Sequence, residues 1–410
     1  MMTTAKYDII IFGATSFVGQ ILVGYMMQEY GANSELKWAI AGRSHEKLSD
    51  VKVKYNAQEI DQILADASNE AELTDMVNQT RVIVSTVGPY ALYGEPLVKV
   101  CVETGTDYCD LTGEIQWYKR MVDRYEKTAQ KTGARIVHCS GFDSIPSDLG
   151  VLFLQNKAQE IFGETCQKVK MRVANLKGGA SGGTIASMVN IAKEAAKDSN
   201  LRKELKNPYS ICPDNHGFIS RQDNISTAEF DEEFDCWVGP FVMGIVNTRV
   251  VHRTNALLNN GYHSNFAYDE AMMMGKGPKG KSRARNMAWG LNIFMLLAAI
   301  KPSRWLLERF ILLKPGQGPT EEEQLKGYFK MQFIGITDNG NKIKTQVTGD
   351  RDPGYGSTAK MLAQAAVRLS QVTKSDKTGG FWTPASIYGE PLIHKLIEHS
   401  GLSFEVLDSE

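Results

Sequence analysis

The sequence contains no Cys-x-x-Cys pair and no Cys/His cluster at metal-ligand spacing. Its six cysteines (Cys101, Cys109, Cys139, Cys166, Cys212, Cys236) are scattered, so neither a structural zinc, nor any other metal site, nor a disulfide framework is expected. An excess of one charge is also missing. Lys plus Arg total 46 and Asp plus Glu total 47, a net charge of −1, which offers no long-range attraction to nucleic acid. No apolar run reaches the roughly 20 residues of a simple bilayer span, and no internal repeat or long low-complexity tract occurs. The opening MMTTAKYDIII meets an acidic residue before its apolar run and has no small-residue cleavage site. A secretory signal is therefore not expected, and a reducing, cytoplasmic setting is.

What remains is an ordinary folded composition, 42% hydrophobic and 23% charged over 410 residues, long enough for two domains. Strand-type apolar runs recur early: YDIIIFG (Tyr7 to Gly13), LKWAIAG (Leu36 to Gly42), RVIVSTVG (Arg81 to Gly88), TDYCDL (Thr106 to Leu111) and ARIVHCSG (Ala134 to Gly141). Segments of helical periodicity separate most of them, including Val18 to Tyr30, Pro96 to Thr104 and Trp117 to Lys131. This alternation predicts a parallel sheet covered on both faces.

In such a sheet the first strand-to-helix turn supplies the phosphate site. That turn reads Gly13-Ala14-Thr15-Ser16-Phe17-Val18-Gly19. Gly13 can take a tight turn, Ala14 and Ser16 are small enough for close backbone approach, and Gly19 permits tight helix packing. The spacing follows a G-x-x-G-x-x-G dinucleotide pattern with Ser16 where a glycine is common, and a plain strand-to-helix turn would read the same way. After the second strand, where a free ribose 2′-hydroxyl would call for an acid, stand Arg43 and Ser44. A guanidinium matches a 2′-phosphate, which points to NADP, the alternative being a solvated loop arginine. Asp66, after the third strand, either faces adenine or caps a helix. Val87, Gly88 and Pro89 are placed to press backbone against the nicotinamide. Tyr90 and Tyr93 just beyond are either proton donors or rings packed on the cofactor.

The motifs GATSFVG, AGRS, VGPYALYGEPLVKVC, DYCDLTGE and GFDSIPSDLG (Gly141 to Gly150), with GGASGGT, PGQGP, DPGYGSTAKML and WTPAS further on, resemble those of saccharopine dehydrogenase-like oxidoreductases, the group that includes the trans-acting enoyl reductases of lipid synthesis. The resemblance spans nearly the whole chain. It implies an NADP-binding domain followed by a larger mixed domain that closes over the nicotinamide, and it leaves the substrate open between amino-acid-derived and lipid-derived compounds.

In GFDSIPSDLG, Asp143 and Ser144 are candidates for the substrate cleft, with a structural turn as the alternative for Asp143. Ser147 or Asp148 is the expected cap of the following helix. Gly182, Gly183 and Thr184 open a helix whose free N–H groups could hold a substrate carboxylate, phosphate or thioester carbonyl, or simply form a flexible turn. From Lys276 to Lys314, basic residues flank tryptophan-bearing apolar stretches, which suits either a peripheral membrane contact or a hairpin buried in the domain or in a homodimer.

The expected fold is α/β: an N-terminal Rossmann-type doubly wound parallel sheet over residues 1–141, then a second mixed α+β domain over 142–410. Residues 275–315 form its basic-apolar hairpin, and the C-terminal part can pack back on the first domain. The expected activity is NADP-dependent hydride transfer to an activated C=C bond of a lipid or polyketide-like substrate. A saccharopine-type dehydrogenase acting on an imine and a non-catalytic NADP-binding protein at lipid surfaces are the alternatives.

Overall fold

The structure, a computed structural model, describes residues 5–178, 182–310 and 318–409. The chain begins with β1 (Tyr7–Phe12), α1 (Phe17–Glu29), β2 (Trp38–Gly42), α2 (His45–Lys54), β3 (Asp61–Leu64), α3 (Glu70–Val77), β4 (Thr80–Ser85), α4 (Tyr90–Tyr93), α5 (Glu95–Thr104), β5 (Asp107–Asp110), α6 (Ile115–Thr132) and β6 (Arg135–Val137). There follow α7 (Ile145–Phe162), β7 (Cys166–Lys177), α8 (Gly182–Lys197), α9 (Ser199–Lys206), β8 (Glu229–Asp231), β9 (Cys236–Pro240), α10 (Gly244–Leu257), β10 (Ala267–Gly275), α11 (Gly277–Ala299), α12 (Lys301–Phe310) and α13 (Glu321–Leu325). The chain closes with β11 (Tyr328–Thr337), β12 (Lys342–Gly349), α14 (Thr358–Gln371), β13 (Gly380–Trp382), α15 (Pro384–Ser400) and β14 (Leu402–Ser409).

Two compact units result. One runs to Asp143 and regains the chain over Gly354–Ser400, and the other takes most of the residues between, together with Gly401 onward. In the first unit seven strands lie in the order β13-β6-β5-β4-β1-β2-β3, and every neighbouring pair is parallel. Parallel strands need helical crossovers, which cover both faces, so β1 and β2 are almost wholly apolar rather than alternating. Phe12, the last residue of β1, pairs with Ala41 and with Ser85. The turns after β1, β2 and β4 therefore leave the sheet at one level. The strand order reverses between β1 and β4, where such sheets hold their ligands.

Helix α1 shows little apolar sidedness because it is buried from two directions. One side covers the sheet, and the other is tied to the returning chain: the Gln364 amide donates to the Tyr25 hydroxyl at 2.7 Å, and that hydroxyl donates to the His399 carbonyl at 2.9 Å. At the amino ends of β5 and β6, Arg135 and Asp107 form a buried ion pair, and Arg135 also donates to the Val372 carbonyl at 2.8 Å.

The second unit is built on a mixed sheet, β14-β12-β11-β7-β10-β9-β8, in which β7 and β10 are parallel and the other pairs antiparallel. Helix α7 lies against it. A Cβ on Gly150 would sit 2.4 Å from the Phe333 ring, so only glycine lets helix and sheet approach this closely. On the opposite face, Arg172 is buried between Asp231 and Asp269, each 2.6 Å away, and joins β7, β8 and β10.

Candidate active site

The turn after β1 is held from both neighbours. Gly13 and Ala14 donate their N–H groups to the Ala41 carbonyl at 3.0 and 3.2 Å. Gly13 has φ +87°, and a Cβ there would meet Val87 Cγ2 at 2.7 Å and Thr86 Oγ1 at 2.8 Å. A Cβ on Gly19 would fall 2.2 Å from the Gly13 carbonyl oxygen. Both glycines are thus fixed by sterics of the turn itself.

Ser16 is the N-cap of α1, and its Oγ accepts from the Gly19 N–H at 2.9 Å. The Thr86 hydroxyl donates to the Gly13 carbonyl at 2.9 Å, so Ser16 is the donor in its 2.9 Å contact with Thr86. The residue in the usual glycine place therefore locks the first turn to the end of β4. With Gly19 capped, the N–H groups of Phe17 and Val18 in the first helical turn have no partner among the described residues, which leaves a positive helix end at the point where the strand order reverses. Thr15 is half-buried, and its carbonyl accepts from Gln20 at 3.3 Å. The Phe17 ring packs edge-on against Tyr355 at 4.8 Å.

Arg43 is exposed at the end of β2. Ser44 beside it caps α2, accepting from the Lys47 N–H at 3.3 Å. Asp66 closes a turn instead of capping a helix: its Oδ1 accepts from the N–H and hydroxyl of Ser68 at 2.8 and 2.7 Å, and Asn69 is the cap of α3. Those two bonds hold the Asp66 carboxyl below its ordinary value, with a smaller contribution from the charge of Arg43.

After β4 the Gly88–Pro89 peptide is cis. Tyr90 is buried with its ring 5.4 Å from that of Trp117. Its hydroxyl donates to the Ser85 carbonyl at 2.8 Å and accepts from the Leu111 N–H at 3.4 Å, and burial pushes its pKa well above 10. Its only proton is committed to the fold. Tyr93, in contrast, is 51% exposed. Glu114, fully buried, accepts from the Tyr90 N–H at 2.7 Å and the Ala91 N–H at 3.3 Å and so caps α4.

Asp143 is half-buried at the end of the first unit, beyond β6. Desolvation raises its pKa from 3.8 to about 7; its own backbone N–H opposes the shift, and the charge of Asp110 adds to it. Its charge in turn helps to raise the pKa of the Tyr90 hydroxyl. Asp110 is fixed by four donors or partners: Tyr108 Oη at 2.9 Å, His138 Nδ1 at 2.7 Å, and the N–H groups of Thr112 and Cys139 at 3.1 and 3.3 Å.

Residues 9–137 match the family model described as the saccharopine dehydrogenase NADP-binding domain. The whole chain is similar to a trans-acting enoyl reductase of Mycobacterium tuberculosis, 33% identical over 412 residues with 95% of this chain and 96% of that one covered. A trans-acting enoyl reductase of Mycobacterium ulcerans is likewise 33% identical, over 405 residues, with 95% and 96% covered. The chain belongs to this family.

Solved structures of similar fold are the apo saccharopine dehydrogenase (L-Glu forming) of Saccharomyces cerevisiae, with a TM-score of 0.54 at 12% identity over 98% of this chain and all of that one. The homospermidine synthase of Legionella pneumophila in complex with NAD has a TM-score of 0.51 at 11% identity, covering 98% and 92%. This family member is an NADP-dependent oxidoreductase. The site fits the cofactor on its own terms: two glycines that no side chain can replace, a helix end with two N–H groups unpaired among the described residues, and an exposed guanidinium just beyond β2.

The remaining sequence candidates belong to the second unit. Ser144 is buried, and its hydroxyl donates to Asn247 Oδ1 at 3.0 Å, an internal bond. Asp148 does not cap α7; it accepts from the Thr254 hydroxyl at 2.6 Å. Helix α8 starts at Gly182, with Gly183 exposed. The residues just before it and the Thr184 side chain lie outside what is described. Thr86, Asp110 and Glu114 were not singled out from sequence. They lie within RVIVSTVG and DYCDLTGE, but the role of each depends on partners distant along the chain, Gly13, His138 and Tyr90 respectively.

Proposed function

We propose that this protein reduces a carbon–carbon double bond conjugated to a carbonyl, in a lipid or polyketide-like substrate met at a membrane surface. The observation that carries this reading is the match of the full chain to relatives named trans-acting enoyl reductase. The loops Ser85 to Pro96 and Gly141 to Gly150 contain no Lys or Arg, which disfavours a substrate bearing several carboxylates.

Phe17, Val18 and Arg43 would hold the phosphates, and the backbone at Val87, Gly88 and Pro89 would receive the nicotinamide. NADPH, when bound, supplies a hydride to the carbon β to the carbonyl. The electron pair of the double bond moves toward the α-carbon, which then needs a proton. Asp143 delivers it: with a pKa of about 7 its carboxyl is protonated in part at neutral pH, and the resulting carboxylate regains a proton from solvent. Tyr90, Glu114 and Thr86 hold the loops in place.

NADPH consumption tests the reading. An α,β-unsaturated thioester should stimulate it and yield the saturated product. Stimulation by saccharopine-type imines in place of enoyl compounds would replace this reading with the alternative, and stimulation by neither would leave a cofactor-binding protein.

A further inference from the structure

Helix α11 is inverted relative to an ordinary surface helix, which buries bulky apolar residues and exposes polar ones. The face turned to the second unit carries small residues. Gly280, Ala284 and Ala288 are packed inward, with Ala284 3.4 to 3.5 Å from where a Cβ on Gly239 of β9 would lie, and Ala298 meets Val189 and Ala192 of α8. The face turned to solvent carries Trp289, Ile293, Leu296 and Ile300, spaced four, three and four apart and so aligned along one stripe. Trp289 is 70% exposed and Leu296 60%. Helix α12 extends the stripe with Trp305, 56% exposed, and Leu306.

Hydrogen bonds tie the corner between the helices. Ser303 Oγ donates to the Leu297 carbonyl at 2.7 Å, and Arg304 donates to the Ala298 carbonyl at 3.1 Å. Beside Trp289 a hollow of about 370 Å³ is lined by Ala288, Asn292, Thr227, Ala228 and Arg285. From Ala271 to Leu307 the chain contains no acidic residue, against seven Lys and Arg. Of these, Lys276 is paired with Asp235 and Lys281 sits over the Trp237 ring, while Lys279, Arg283, Arg285 and Lys301 are exposed and make no ion pair among the described residues.

We propose that the α11–α12 face is a docking surface for an anionic lipid bilayer, with Trp289, Ile293, Leu296, Ile300, Trp305 and Leu306 entering the headgroup boundary and Lys279, Arg283, Arg285 and Lys301 meeting lipid phosphates. Charge decides between this occupant and a second copy of the chain. Two copies pairing symmetrically through the stripe would set these cations against themselves, with Glu308 the single acid in the sequence of both helices to answer them. An anionic headgroup layer neutralises them while the tryptophan rings take their preferred depth. No described helix is long and apolar enough to cross a membrane, so the contact is peripheral. This surface is argued from its own geometry, independently of which double bond is reduced.

Co-sedimentation with vesicles tests the proposal, with no substrate or NADPH present, so that failure of the enzymatic reading leaves the result standing. The protein should pellet with phosphatidylglycerol-rich vesicles at low salt, be released by high salt, and stay in solution with phosphatidylcholine alone. Trp289→Ser with Leu296→Ser should lower partitioning about tenfold or more, and Arg283→Glu with Arg285→Glu should do the same selectively for anionic vesicles. NADPH affinity, a property of the first unit, serves as the folding control and should be unchanged in both variants. The proposal is overturned by retention in the supernatant with anionic vesicles, by equal binding to neutral ones, or by wild-type partitioning of the serine variant. It is equally overturned if the wild type is a dimer that the serine variant dissociates without any vesicle binding.

Discussion

Asp143→Asn separates chemistry from folding, because the two should move in opposite directions. Asn preserves the shape of the side chain and removes its transferable proton. With a pKa of about 7, Asp143 is about nine-tenths protonated at pH 6 and about one-tenth at pH 8. If it delivers the proton, wild-type turnover at saturating NADPH should fall about tenfold over that interval. The Asn variant should lose about 10²- to 10⁴-fold in turnover, typical of a missing general acid, with NADPH affinity unchanged and the pH dependence gone.

Stability follows from the direction of the shift. The folded pKa lies above the unfolded one, so the native state binds this proton more tightly. Its stabilising contribution is complete below about pH 4 and is lost as pH rises through about 7, leaving a poorly solvated carboxylate at pH 8. A rise from 3.8 to about 7 corresponds to at most about 4 kcal/mol, and solvent access to a half-buried residue reduces this to about 1–2 kcal/mol. The Asn variant should therefore resist denaturant better than wild type at pH 8 and equally at pH 4, measured by urea titration. Full turnover in the Asn variant, or a flat wild-type profile from pH 6 to 8, would refute the assignment.

Arg43→Ala should weaken NADPH binding about 10- to 100-fold, the loss of one or two charge-assisted hydrogen bonds, while leaving NADH binding unchanged in parallel fluorescence titrations. Gly19→Ala places a Cβ 2.2 Å from a backbone oxygen that cannot rotate away; it should abolish measurable NADPH binding and lower the melting temperature of the protein. Arg135→Met removes one partner of a buried pair whose side chains are 3% and 4% exposed. It should cost about 3–5 kcal/mol in urea denaturation, the half-exposed Lys374 and the backbone N–H of residue 135 staying as partners of Asp107.

The elements that could be read directly were those whose signal is local. A strand buried on both faces is a continuous apolar run, so β1, β2 and β4 announce themselves, and the glycines of the first turn follow from the strand that precedes them. Strand β13 has only three residues, too few to show a period. What makes it a strand is its parallel pairing with β6 and the acceptance of the Phe381 N–H by Glu126 of α6 at 3.3 Å, both contacts far along the chain. Tyr90 shows the same limit. Sequence allows it to be either a donor or a packed ring, and only Leu111, Trp117 and Ser85 together turn its hydroxyl inward. The raised pKa of Asp143 likewise comes from packing. Leu111 and Thr358 crowd the adjoining Gly141, where a Cβ would lie 3.3 Å and 3.0 Å from them.

Ser16 shows how one hydroxyl redistributes a binding site. A glycine at that position would leave the N–H groups of residues 17, 18 and 19 free to face a diphosphate. The serine spends the third on its own side chain and uses its proton to fasten the turn to Thr86. The cradle becomes stiffer and has one donor fewer, so less ordering accompanies binding while less is gained from the diphosphate common to both nicotinamide cofactors. On the proposed reading the distinction between those cofactors would then fall more heavily on Arg43, an exposed guanidinium suited to the 2′-phosphate that only one of them carries. A Ser16→Gly exchange should accordingly narrow the preference of the Arg43→Ala protein no further, because the two residues act on different parts of the ligand.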